Sequence, residues 1–161
     1  MTAVAQQAYR WGTVLMFLLI IAQFTTAGAG VFSAMAGNSD GKGALGFHVL
    51  GALVIFIASL LMVIAAFVGR LPWRMTGLAA AFVPLLFLQS IFIIPLLDPN
   101  SDLASAVGVS DKPWVAALHV LNALFIFWLV TQWVEWTRRD LERMRTVKHT
   151  EMHTLAGNLQ P

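Results

Sequence analysis

At 161 residues the chain has room for one compact unit rather than two large domains. It is 58% hydrophobic and 11% charged, with mean hydropathy +0.76, which leaves too little polar surface to face water on all sides, and with no cysteine it has no disulfide, thiolate zinc site, Cys-ligated iron–sulfur cluster or covalent c-type haem. The net charge of +2 and pI near 9.5 do not mark a nucleic-acid binder, because the basic residues flank apolar segments, where lipid headgroups lie.

Four segments are long and apolar enough for helices that cross a bilayer core about 30 Å thick. In chain order they cover about 11–32, 44–68, 73–97 and 113–136. The first is too long for a signal peptide and is followed by further spans, so it reads as retained. Arg74, at the start of the third, is the only Lys or Arg in the four segments, and the only acidic residue is Glu135 at the last edge. Trp11, Trp73, Trp114, Trp133 and Trp136 mark span ends, as in an interfacial aromatic belt. The link at 69–72 is very short, while 33–43 and 98–112 are longer and rich in turn formers.

With four spans, Arg10, Arg70, Arg74, Arg138, Arg139, Arg143, Arg145 and Lys148 fall on one side; only Lys42 and Lys112 fall on the other, beside Asp40, Asp98, Asp102 and Asp111. The positive-inside rule then predicts both termini in the cytoplasm. The expected organisation is an all-α bundle of four transmembrane helices over 1–148, the last helix continuing to about Lys148, with a flexible cytoplasmic tail over 149–161.

An internal repeat carries the functional argument. His48-Val49-Leu50-Gly51-Ala52-Leu53 opens the second span and His119-Val120-Leu121-Asn122-Ala123-Leu124 opens the fourth, identical at five of six positions. Gln23 and Gln89 occupy the preceding spans at similar distances from their outer ends, so the bundle reads as two repeated helical hairpins. The second and fourth spans are parallel, which puts both histidines at similar depth near the outer side. On diagonal helices, inward-pointing imidazoles are spaced to clamp one iron. Three and four residues after each histidine, Gly51 and Ala52, and Asn122 and Ala123, share the histidine faces and leave room for a flat macrocycle. Gly28 and Gly30 offer close backbone approach on the first span, and Lys42 and Lys112 stand at the rim as partners for propionates. Small residues serve helix packing equally well, and two loop lysines are also commonplace. For the free ring nitrogens, Thr25, Thr26, Gln89 and Ser90 are the candidate acceptors.

The pattern predicts one haem b held by His48 and His119 and used for single-electron transfer, with a quinone or a larger redox complex as partner. Gln23 and Gln89 are then either interhelical hydrogen-bond partners or part of a quinone site. Two alternatives use the same residues: a non-redox scaffold or accessory subunit in which the histidines tie helices together, and a protein that handles haem or another tetrapyrrole transiently.

Four spans with ligand histidines on the second and fourth resemble one half of the heme A synthase family. The resemblance implies a four-helix bundle with a b-type haem between His48 and His119. It does not extend to methyl oxidation, since Leu45 and Gly46, and Val115 and Ala116, stand where that family carries an acidic residue before a ligand histidine. The segment Gln23-Phe24-Thr25-Thr26-Ala27-Gly28-Ala29-Gly30-Val31-Phe32, with Ala117-Leu118-His119-Val120-Leu121-Asn122-Ala123-Leu124, also resembles a small bacterial four-span family. These resemblances imply a multi-pass protein of the bacterial cytoplasmic membrane. Elsewhere, His149 and His153 are spaced i, i+4 without a third ligand, and no nucleophile–base–acid set or phosphate loop stands out, so the chain is expected to bind a cofactor rather than act as a stand-alone enzyme.

Overall fold

The computed structural model of the protein describes residues 3–37, 41–97 and 114–157. Those residues form four helices and no strand: α1 Ala3–Met35, α2 Gly41–Val68, α3 Trp73–Leu97 and α4 Val115–Gly157. Each contains a stretch long and apolar enough to cross a membrane, namely Val4–Ser33, Gly46–Val68, Trp73–Phe92 and Ala117–Asp140. The protein is therefore an all-α, four-span membrane protein.

Both terminal helices outrun the expected spans. The stretch before Trp11 is rich in Ala and Gln, contains no Gly or Pro, and continues α1 back to Ala3. At the other end nothing between Val115 and Ala156 breaks a helix, so α4 carries on past Lys148 and stops at the first glycine, Gly157. Ion pairs one turn apart line this extension: Glu135 accepts from Arg138 at 3.0 Å and Arg139 at 2.7 Å, and Arg138 lies 3.7 Å from Glu142.

The short link predicted between the second and third spans is a tight helix stop. Leu71 N–H donates to Ala66 O at 3.0 Å and Arg70 N–H to Phe67 O at 3.1 Å, the paired bonds of a Schellman motif. Arg70 occupies the left-handed position with φ 47°. Gly69, one residue earlier, is needed for a different reason: a Cβ there would lie 2.9 Å from Ala65 O and 3.2 Å from the Ala5 methyl of α1.

The helices form a closed square. α1 packs on α2 and α4, α3 packs on α2 and α4, and the backbones of the diagonal pairs stay apart among the described residues. At the end that carries Arg10, Arg70 and Arg74, the basic end, the square is filled. Tyr9 and Met16 of α1, Met62 and Ala66 of α2, Met75, Ala79 and Phe82 of α3, and Leu129, Val130 and Trp133 of α4 are buried there. Trp133, expected in the aromatic belt, is fully buried instead. Its indole N–H donates to Tyr9 Oη at 3.0 Å, and that hydroxyl donates to Met75 O at 2.6 Å, joining α4, α1 and α3. A buried indole needs such an acceptor, and Tyr9 supplies it. Trp11, Trp73, Trp114 and Trp136 are exposed, as a belt requires.

Candidate functional site

At the opposite end, the histidine end, the square is hollow. A partly open cavity of about 360 Å³ draws its walls from all four helices. Ile20, Ile55, Leu86 and Ile126 stand closest to the filled half, and His48 and His119 enter from the diagonal helices α2 and α4. Both imidazoles are half-buried, with ring centroids 6.4 Å apart and planes inclined at 63°.

Each ring is held through the same nitrogen by the same kind of partner. His48 Nδ1 lies 3.1 Å from Gln23 O, and His119 Nδ1 lies 3.0 Å from Gln89 O. A carbonyl oxygen only accepts, so both Nδ1 atoms carry the proton and both Nε2 atoms keep a lone pair. This arrangement fixes tautomer and ring orientation for a metal-ligating histidine. The separation is compatible with a shared metal: two metal–nitrogen bonds of about 2 Å, plus roughly 1.1 Å from each nitrogen to its ring centre, would put the centroids of two imidazoles about 6.2 Å apart. Among the described residues no group of three or more His, Cys, Asp or Glu side chains is placed to hold a metal ion.

The glutamine side chains differ between the two hairpins. Gln89 Nε2 donates to His119 O at 3.0 Å, so Gln89 and His119 clasp each other through both main chains. Asn122 completes this clasp, donating to Gln89 Oε1 at 2.6 Å and to Leu85 O at 3.0 Å. In the first hairpin the equivalent of Asn122 is Gly51, and the Gln23 amide fills the space that a side chain at 51 would take. Gln23 Oε1 is buried without a partner among the described residues. An orphaned polar atom beside an apolar cavity fits a site that receives a ligand.

Of the other residues singled out in the sequence, Ala52, Ala123, Gly28, Gln23 and Gln89 line the cavity. Space is open where a Cβ on Gly28 would stand. Gly51 and Asn122 serve the glutamines rather than the cavity wall, and Gly30 is buried on α1 outside the lining. Lys42 is in the first turn of α2 with its side chain outside the described residues, as Lys112 is altogether. The predicted acceptors Thr25 and Ser90 bond carbonyls of their own helices, Ile21 O and Leu86 O, and Thr26 shares Gln23 O with His48. The apolar lining of α1 by Ile20, Phe24, Val31 and Phe32 was not singled out in the sequence, because that helix is apolar nearly all round and no one face stands out.

In comparison with known proteins, residues 23–94 are similar to a family of unknown function (DUF6220), a match over somewhat less than half of the chain that takes in Gln23, His48 and Gln89. No curated protein and no solved structure matches.

Proposed function

We propose that the protein is a membrane b-type cytochrome that holds one haem between His48 and His119 and passes single electrons. One observation carries the reading: two Nδ1-anchored imidazoles on diagonal helices, 6.4 Å apart, with both Nε2 lone pairs free. The apolar walls and the open space beside Gly28 suit a flat tetrapyrrole. Bound there, haem b supplies a one-electron iron couple. The carbonyls of Gln23 and Gln89 would hold the ligand rings in orientation with Nδ1 as the donor, and the isoleucine floor keeps water from the filled half. A quinone or a larger redox complex is the proposed electron partner. On this reading the chain is a pair of repeated hairpins, related in site architecture to half a heme A synthase, in a bacterial cytoplasmic membrane with both termini inside. A reporter active only in cytoplasm should work when fused after Pro161; an inactive fusion with intact protein reverses that orientation.

Expression in haem-replete bacterial membranes and purification in mild detergent test the site. Reduced-minus-oxidised spectra should show a six-coordinate haem b α-band, lost in His48→Gly and His119→Gly and partly restored by added imidazole. A folded, colourless wild type sinks the reading. A scaffold or accessory subunit is the second reading, favoured by the two Nδ1–carbonyl bonds, which already join α2 to α1 and α4 to α3. A haem- or tetrapyrrole-handling role uses the same site, and rapid loss of haem to an apoprotein acceptor distinguishes it from a permanent cytochrome.

A further inference from the structure

A second cavity lies at the basic end, between the start of α3 and the charged part of α4, with a volume of about 580 Å³. Arg74, Arg139 and Arg143 line it, with Asp140 as the only carboxylate among its walls. Arg139 is engaged through its Nε by Glu135 at 2.7 Å. Arg74 and Arg143 have no carboxylate within ion-pair distance among the described residues. With Arg139 already paired, the Arg74 and Arg143 guanidinium groups face one cavity with Asp140 as its only carboxylate, and their planar forks match phosphate oxygens. Trp73 and Trp136 flank the arginines, and Met75 and Leu78 form an apolar wall below. Exposed tryptophans and arginines at the same height mark the level of the headgroups, and the apolar wall leads towards the acyl chains. Asp140, half-buried in the wall, is an acceptor for hydroxyl groups next to a phosphate.

We propose that this cavity binds a phosphodiester group, and that its source is an anionic phospholipid of the surrounding leaflet whose headgroup carries hydroxyls, as phosphatidylglycerol does. Arg74 and Arg143 hold the phosphate, Asp140 accepts from the headgroup, and the tryptophans cover its glycerol backbone. The site is independent of the histidine cavity.

The test is native mass spectrometry of the purified full chain titrated with phosphatidylglycerol or phosphatidylcholine. Phosphatidylglycerol should bind roughly tenfold more tightly, in line with the attraction of a few basic groups for an anionic headgroup. Arg74→Gln with Arg143→Gln should abolish the preference while helicity by circular dichroism stays unchanged. Arg70→Gly, which removes a charge from the same end but outside the cavity, should keep it. Equal retention of both lipids, or an equal loss of preference in Arg70→Gly, overturns the proposal in favour of general surface charge. Displacement of the lipid by millimolar inorganic phosphate overturns the lipid source and assigns the cavity to free phosphate.

Discussion

Asn122 and Gly51 stand at the same offset from their histidines, and they show how one motif was fitted to two different surroundings. Asn122 holds Gln89, whose carbonyl in turn holds His119. Asn122→Ala should leave Gln89 Oε1 unpaired and lower the stability of the protein by about 1–3 kcal/mol, the usual cost of orphaning a buried polar atom. Thermal unfolding followed by circular dichroism checks this, and an unchanged midpoint would show that Gln89 finds another donor. At Gly51 the opposite change is harmful: a Cβ there runs into the Gln23 amide. Gly51→Val should cost about 1–3 kcal/mol through overpacking. The same valine at Ala52, exposed on the cavity wall, should cost less, and equal losses at the two positions would count against the tight Gln23–Gly51 contact. The histidines and glutamines were legible in the sequence because they are polar residues repeated inside apolar runs. The atoms that hold the rings were not, because they are main-chain carbonyls and leave no trace in residue type. Thr25, Thr26 and Ser90 drew attention as acceptors, but a hydroxyl inside a helix bonds first to the carbonyl a turn back.

Element boundaries follow local chemistry, and the α2–α3 turn shows where that chemistry is strained. Arg70 pays the left-handed penalty at the position where glycine is the usual residue, while Gly69 is reserved for the approach of α1. Arg70→Gly should therefore stabilise the turn by about 1 kcal/mol, seen as a higher unfolding midpoint. A lower midpoint would mean that the Arg70 side chain contributes more than its backbone costs. The spans themselves could be read from apolar length alone, and their ends were missed only where good helix formers carry a helix beyond the bilayer, as at Ala3 and Gly157. Trp133 was misplaced for another reason. A tryptophan near a span end has the same sequence signature whether it faces headgroups or core, and only the Tyr9 hydroxyl, supplied by the opposite end of the chain, decides the matter. Tyr9→Phe removes the acceptor of the indole and the donor to Met75 O together, and should cost about 2–3 kcal/mol.

The whole molecule divides its length between a packed half and a hollow half, and the two should respond differently to substitution. Phe82, fully buried 4.8 Å from the Trp133 ring, belongs to the packed half. Ala123 faces the cavity, half-buried, one helical turn from His119. If the cavity holds haem, binding adds stability that grows with the logarithm of the ratio of ligand concentration to dissociation constant. Phe82→Ala then lowers the midpoint of the haem-loaded and haem-free forms alike, by about 3–5 kcal/mol for a large buried ring. Ala123→Phe places a ring where the macrocycle would lie and leaves both histidines and their carbonyl partners intact. It should lower only the haem-loaded form, because the space it fills is empty in the other. Paired melting curves of haem-free and haem-supplemented protein read both effects in one experiment. A difference between the two curves that disappears in Ala123→Phe and persists in Phe82→Ala ties the cofactor to this cavity through its shape, independently of any change to the ligands. Persistence of the full difference in Ala123→Phe would mean that haem, if bound, sits elsewhere, and that the hollow half exists to let the two hairpins be clasped by His48 and His119 alone.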